Sequence, residues 1–193
     1  MRVAVITGGM GGLGESISTK MHAAGYRVVV TYSPGNKRVK DWLAKQKASG
    51  REFIAYPVDV TDFGSCKTCI GQIVEDAGPV DILLNNAGIT RDTTFKEMTE
   101  NDWDAVIRTN LDSVFNMTKQ VLDGMIDRGW GRIINVSSVN GSKGAFGQTN
   151  YSAAKAGMHG FTKSACTGSC PQGSHGQHHL PGVHRHQDGD GHS

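Results

Sequence analysis

A chain of 193 residues is long enough for one domain with a real core, and its formal net charge of +2 shows no basic excess. No basic stripe that would track a nucleic-acid backbone is present, and no apolar run approaches the ~20 residues that span a bilayer. These features exclude nucleic-acid and membrane partners and lead us to expect a cytoplasmic protein whose four cysteines stay reduced.

Residues 1–7 (MRVAVIT) form a short β-branched run that predicts a buried parallel strand. The strand feeds straight into a glycine-rich motif, so no secretory leader is expected. A helical stretch follows to about residue 25. Residues 27–31 (RVVVT) predict the second strand, and 37–49 a polar helix. The third strand is expected over 52–57, running on to Val58, Asp59 and Val60. Thr61 or Asp62 can cap the next helix, which extends to about residue 77.

Residues 80–84 (VDILL) predict a fourth strand, followed by Asn85-Asn86-Ala87-Gly88 and a loop. Thr99 can cap a long helix reaching about residue 126, with Asn101 and Asp102 in its first turn. Residues 131–136 (GRIINV) are the fifth strand. A glycine-rich loop then leads to a helix beginning near Asn150. Strands alternating with helices predict βαβ units, and right-handed crossovers turn them into a doubly wound α/β parallel sheet. Ligands of such sheets bind beyond the carboxyl ends of the strands. Cys66 and Cys69 form a CxxC within a helical pattern with no second ligand pair nearby, which points to a structural role.

Strand one is followed by Thr7-Gly8-Gly9-Met10-Gly11-Gly12-Leu13-Gly14. Glycines permit backbone conformations that a Cβ forbids, and they let main-chain N–H groups reach a pyrophosphate at a helix N-terminus. A merely flexible turn would need no strand before it and no helix after it. This motif has both, at the start of a βαβ unit. The end of strand two chooses the cofactor. A carboxylate there would bond the ribose 2′-OH of NAD, but the sequence offers Thr31-Tyr32-Ser33. Such a site does not repel a 2′-phosphate, and Arg38 or Lys37 could pair with one, so NADPH is expected.

Tyr151 and Lys155 stand four residues apart, which puts them on one face of a helix. A phenol beside an ammonium becomes a better acid or base near neutrality. The pair alone is weak, because many helices carry it by chance. Ser138 lies thirteen residues before Tyr151, just after strand five, and Asn110 sits in the preceding long helix.

Taken together, the TGxxxGxG turn, the NNAG segment and the Asn110–Ser138–Tyr151–Lys155 set resemble the short-chain dehydrogenase/reductase family, over residues 1 to about 164. The resemblance implies a Rossmann-type sheet. It implies that Thr7, Gly8, Gly12, Leu13 and Gly14 hold the NADP(H) pyrophosphate, with Arg38 at the 2′-phosphate. Asp59 and Val60 would meet the adenine, although a turn or capping role for Asp59 is the alternative. Asn86, Ala87 and Gly88 would line the nicotinamide side. Ser138 and Tyr151 would bond the substrate carbonyl, Tyr151 would donate the proton, and Lys155 would activate the phenol and hold the nicotinamide ribose. Asn110 would position a water that relays protons. No metal is implied.

Two stretches, residues 86–92 and 138–151, resemble the family members that reduce acetoacetyl-CoA to 3-hydroxybutyryl-CoA in polyhydroxybutyrate synthesis. In that group Gln148 would face the acyl thioester and Phe146 would border the acyl pocket. The alternatives are 3-oxoacyl-acyl-carrier-protein reductases, which share most of these motifs, and a non-catalytic nucleotide-binding fragment. The family also implies a homotetramer.

After Lys163 the pattern breaks. We expect residues 1–164 to form an incomplete catalytic domain, and 165–193 an irregular tail rich in glycine and histidine. Cys166 and Cys170 with the downstream histidines could bind zinc, but no flanking element would orient them. A reading-frame shift accounts for the tail better. Regrouping the last two bases of each codon with the first of the next, from Cys166 to His192, permits ALEVARKGVTVNTISPGYIATKMVMAI. That string resembles the corresponding stretch of short-chain reductases: a helix end, a VTVN strand and an SPG turn. The sheet is therefore expected to be truncated after strand five, leaving an exposed edge. The chain as written is expected to be poorly stable and nearly inactive, with the motifs describing its full-length parent.

Overall fold

Five strands alternate with helices, and every strand pairing is parallel. The computed structural model describes residues 1–168, with side chains through Ala165. The cysteine–histidine tail and the frame change expected from Cys166 onward lie outside the described side chains. The first half comprises β1 (Val3–Ile6), α1 (Gly12–Ala23), β2 (Arg27–Tyr32), α2 (Val39–Ala48), β3 (Ile54–Pro57) and α3 (Phe63–Ala77). The second comprises β4 (Val80–Asn85), α4 (Glu100–Ile107), a π-helical turn (Arg108–Asp112), α5 (Ser113–Asp127), β5 (Arg132–Asn135), α6 (Asn140–Lys143) and α7 (Thr149–Gly168).

The strand order is β3-β2-β1-β4-β5. The chain winds outward from β1 to β3, then returns to the other side of β1 through β4. This reversal opens a crevice between the carboxyl ends of β1 and β4, where doubly wound sheets bind ligands. β5 is the edge of the described sheet.

Both sheet faces are covered, which explains why the strands read as continuous apolar runs. Val3, Val5, Val29, Leu83 and Ile133 pack with Cys66, Ile73, Met117 and Met125 of α3 and α5. On the opposite face Ala4, Ile6, Val28, Val30 and Leu84 meet Trp42 of α2, and Ile17 and Met21 of α1 pack against them. Each fully buried Val, Ile or Leu contributes about 1.5–3 kcal/mol. A one-residue slip would exchange the two sets between faces, so the register is strongly specified.

Two helix starts follow the expected chemistry. Asp62 caps α3 by accepting from the Ser65 N–H. Thr99 and Asp102 form a reciprocal capping box on α4, with Asp102 N–H to Thr99 Oγ1 at 3.1 Å. The long helix expected to reach residue 126 is interrupted by the π turn, which reading by 3.6-residue periodicity cannot detect. Cys66 and Cys69 are free and buried, and burial pushes their thiols up to about 12 and about 11. Thiols so shifted are poor nucleophiles and fill the α3 core instead. Among the described residues no helix is long and apolar enough to cross a membrane.

Candidate active site

Thr7 joins the two sides of the crevice. Its buried Oγ1 accepts from the Asn86 and Ala87 N–H groups, both at 2.9 Å. Asn86 Nδ2 returns a bond to the Thr7 carbonyl at 2.9 Å. The end of β1 and the NNAG segment are thus tied by three hydrogen bonds across 79 and 80 residues of chain. Gly8 has φ +63°, and a Cβ there would meet the Ala87 Cα at 3.2 Å. At Gly14 a Cβ would lie 2.2 Å from the Gly8 carbonyl oxygen, so only glycine lets the turn fold back on α1.

α1 begins at Gly12, and Gly11 before it supplies no side-chain cap. Its first-turn N–H groups and positive dipole end are therefore available to an anion. Leu13, also expected in this turn, is exposed beside it. A glycine cradle against an uncapped helix N-terminus fits a dinucleotide pyrophosphate.

Arg38 is exposed at the N-cap position of α2, and its N–H donates to Asn36 Oδ1 at 2.9 Å. Glu15, just after the glycine turn, ties α2 to α1 by accepting from Trp42 Nε1 at 3.0 Å and Gln46 Nε2 at 2.9 Å. The Trp42 bond leads the causes that hold the Glu15 carboxyl below the usual range. Asp59 uses Oδ1 to accept from Thr61 N–H at 2.9 Å and Thr61 Oγ1 at 2.7 Å, the turn role that was the alternative for it. The neighbouring Val60 carbonyl accepts from Asn116 of α5 at 3.0 Å.

On the β4–β5 side lie the residues of the expected catalytic set, of which Lys155 and Tyr151 are 5.6 Å apart, ammonium to ring centroid. Asn110 lies in the π turn, fully buried, and clamps Ile89 from both sides. Its Oδ1 accepts from Ile89 N–H and its Nδ2 donates to Ile89 O, each at 2.8 Å. Both ends of the amide are therefore engaged by protein. A Cβ on Gly88 would sit 2.9 Å from Asn110 Oδ1, so the clamp needs glycine there.

Lys155 is only 4% exposed, and its ammonium donates to the Val136 carbonyl at 2.7 Å. Its Nζ stands 5.6 Å from the Tyr151 ring centroid. Burial pushes the Lys155 ammonium down to about 8, since the charged form loses hydration there. Ser138 Oγ accepts from Asn140 N–H at 3.2 Å, which leaves its own proton to donate. Gly141 of α6 packs so closely on α7 that a Cβ would lie 2.9 Å from the Lys155 carbonyl carbon.

Gln148 and Phe146 differ in their surroundings. The Gln148 amide accepts from Asn140 Nδ2 and donates to Asp92 Oδ2, both at 2.8 Å. It links the 89–93 segment to the loop before α7. Phe146 is 93% exposed.

Sequence reasoning missed Asn150. It is fully buried, accepts from Tyr151 N–H at 2.7 Å, and donates to the Arg91 and Asp102 carbonyls at 3.2 and 3.1 Å. It holds the start of α7 against α4 and the loop after β4. Its partners lie 59 and 48 residues away, so no local pattern announces it. Among the described residues no group of three or more His, Cys, Asp or Glu is placed to hold a metal ion.

A glycine cradle at the strand-order reversal, with a buried lysine and a tyrosine on the adjoining helix, places the chain in the doubly wound α/β class, whose ligands bind at such a crevice. The model of the short chain dehydrogenase family matches residues 2–173, and the chain belongs to that family. It is 58% identical over 161 residues to an acetoacetyl-CoA reductase of Cupriavidus necator, covering 83% of this chain and 65% of that protein. To an acetoacetyl-CoA reductase of Allochromatium vinosum it is 52% identical over 162 residues, covering 83% and 66%. A 3-oxoacyl-[acyl-carrier-protein] reductase of Staphylococcus aureus is 41% identical over 162 residues, covering 84% and 66%. The chain thus spans just under two thirds of the length of these relatives.

Proposed function

We propose that the full-length parent of residues 1–164 uses NADPH to reduce acetoacetyl-CoA to 3-hydroxybutyryl-CoA, a step in polyhydroxybutyrate synthesis, with these residues as its catalytic part. The observation that carries this reading is the Lys155 ammonium, buried on the Val136 carbonyl and one helical turn from Tyr151, with Ser138 two residues beyond Val136. The names of the two acetoacetyl-CoA reductases support the substrate.

A bound reduced nicotinamide supplies the hydride. The chain's own residues handle the proton and the charge. Ser138 and Tyr151 hydrogen-bond the ketone oxygen, preorganised for the negative charge that develops there. Tyr151 releases its phenol proton to that oxygen. The Lys155 cation stabilises the phenolate left behind and bonds the nicotinamide ribose. Asn110 holds the Gly88–Ile89 wall of the pocket through its clamp on Ile89.

This reading fixes the pH dependence. Lys155 carries its charge below about pH 8 and loses it above. The reductive rate is therefore expected to hold below that value and decline as pH rises through it. A kcat profile that stays flat to well above pH 8 would contradict the role of Lys155.

For the cofactor, the absence of a carboxylate in Thr31-Tyr32-Ser33 and the exposed Arg38 support NADPH over NADH. Replacing Arg38 with Glu is expected to weaken NADPH binding about 10–100-fold while moving NADH by less than about twofold, the signature of a lost phosphate pair. Fluorescence titration with both cofactors checks it. Equal weakening of both would mean that Arg38 does not read the 2′-phosphate.

The rival substrate is the same ketone on acyl-carrier protein, favoured by the Staphylococcus aureus relative. Parallel NADPH-consumption assays on the protein purified from its host separate the two. Higher kcat/KM for acetoacetyl-CoA supports the proposal, and higher kcat/KM for acetoacetyl-acyl-carrier protein replaces it.

A further inference from the structure

One polar pair beside the active site has no part in the chemistry above. Ser137 Oγ lies 2.7 Å from His159 Nε2 and donates to the Lys155 carbonyl at 3.2 Å. A hydroxyl has one proton. With that proton given to Lys155 O, the Ser137 oxygen accepts from His159, which must carry its proton on Nε2. Lys155 Nζ meanwhile donates to the Val136 carbonyl at 2.7 Å.

Residues 136–137 and 155 therefore close a ring. The lysine side chain reaches out to one main-chain carbonyl, and the Ser137 side chain reaches back to the carbonyl of that same lysine. His159, half-buried one helical turn beyond Lys155, braces the ring from outside. Ser138, whose hydroxyl faces the substrate in the proposed reaction, is the next residue along. Among the described residues its own side chain bonds forward, to Asn140 N–H at 3.2 Å, and so does little to steer this segment.

We propose that His159 is a positioning residue: it pins Ser137, and so holds the Val136–Ser138 segment where it receives the Lys155 ammonium and presents the Ser138 hydroxyl. The functional half of this inference rests on the reductase reading above. The structural half concerns Lys155 alone. Tyr151 is the titratable group facing the ammonium on α7, and no other charge contributes to the depression, which burial alone produces. A looser segment admits water to Lys155 and lets its titration return toward the ordinary lysine value.

The test uses His159→Leu, His159→Gln, Ser137→Ala and the Ser137→Ala/His159→Leu double variant, with thermal melts to establish folding. Steady-state kinetics and NMR titration of 13Cε-labelled lysine are the readouts. His159→Leu is expected to lower kcat about tenfold with KM moved less than about twofold, the scale of one lost hydrogen bond. The Lys155 midpoint is expected to rise. Gln, whose Nε2 can donate in place of the imidazole, is expected to restore both. The double variant should fall no further than Ser137→Ala, which already removes the His159 contact along with the Lys155 carbonyl contact. If His159→Leu does not fold, Ser137→Ala must show the same kcat loss and midpoint rise. The proposal is overturned if folded His159→Leu keeps the kcat and the Lys155 midpoint of the unsubstituted protein, or if the two losses add. If the unsubstituted protein does not reduce acetoacetyl-CoA, the functional reading fails, and the Lys155 midpoint alone decides whether His159 is a brace.

Discussion

Replacing Tyr151 with Phe is expected to lower turnover about 1,000-fold, the scale of a lost general acid, while NADPH affinity moves less than about twofold. The ring remains, so the packing of α7 is unchanged. Its anchor is Asn150, which accepts from the residue 151 N–H and bonds the Arg91 and Asp102 carbonyls whatever side chain comes after it. What disappears is the proton for the substrate oxygen. Ser138 can still polarise the ketone, and that leaves a measurable residue of activity rather than none. A loss below about tenfold would assign proton donation to another group.

The second large effect concerns stability. Asn110→Ala is expected to destabilise the fold by about 1–3 kcal/mol, since it removes two hydrogen bonds to the Ile89 main chain at ~0.5–1.5 kcal/mol each. Urea unfolding measures it directly. Asn110 is fully buried and bonds the exposed Ile89 at 2.8 Å twice, so the side of the clamp that is lost is the one shielded from solvent. Because Gly88 packs on the same amide, the pocket wall should loosen as well, and NADPH affinity should fall with stability. A change within about 0.5 kcal/mol would mean that the clamp is dispensable.

The central strands β1, β2 and β4 were legible because they are buried on both faces and read as largely apolar runs, while β3 and β5, at the edges of the described sheet, are only partly buried. The caps at Asp62 and Thr99 were legible because capping is local chemistry, read within three residues. The glycine turn was legible for a related reason: Gly8 at φ +63° and Gly14 against the Gly8 carbonyl are positions where only one residue type fits. The π turn was not. It inserts Asn110 into a helix whose apolar spacing continues on either side, and only the contact with Ile89, 21 residues away, explains it. Gln148 was expected to face an acyl thioester; its amide is bonded to Asp92 and Asn140. The partner at Asp92 is 56 residues distant. Asn150, Asn116 and the Ser137–His159 pair obey the same rule. Each is a polar side chain whose partner is set by tertiary packing, and a single sequence carries no local trace of that.

Everything functional above turns on Tyr151 and Lys155 driving an NADPH-dependent reduction of a 3-oxoacyl thioester. The most direct test is NADPH consumption with acetoacetyl-CoA, measured side by side for the full-length parent and for its Tyr151→Phe variant. Steady consumption is expected from the first and a rate about 1,000-fold lower from the second, at equal NADPH affinity. NADPH binding without consumption by the unsubstituted protein, or equal rates for the two, would contradict the proposed chemistry.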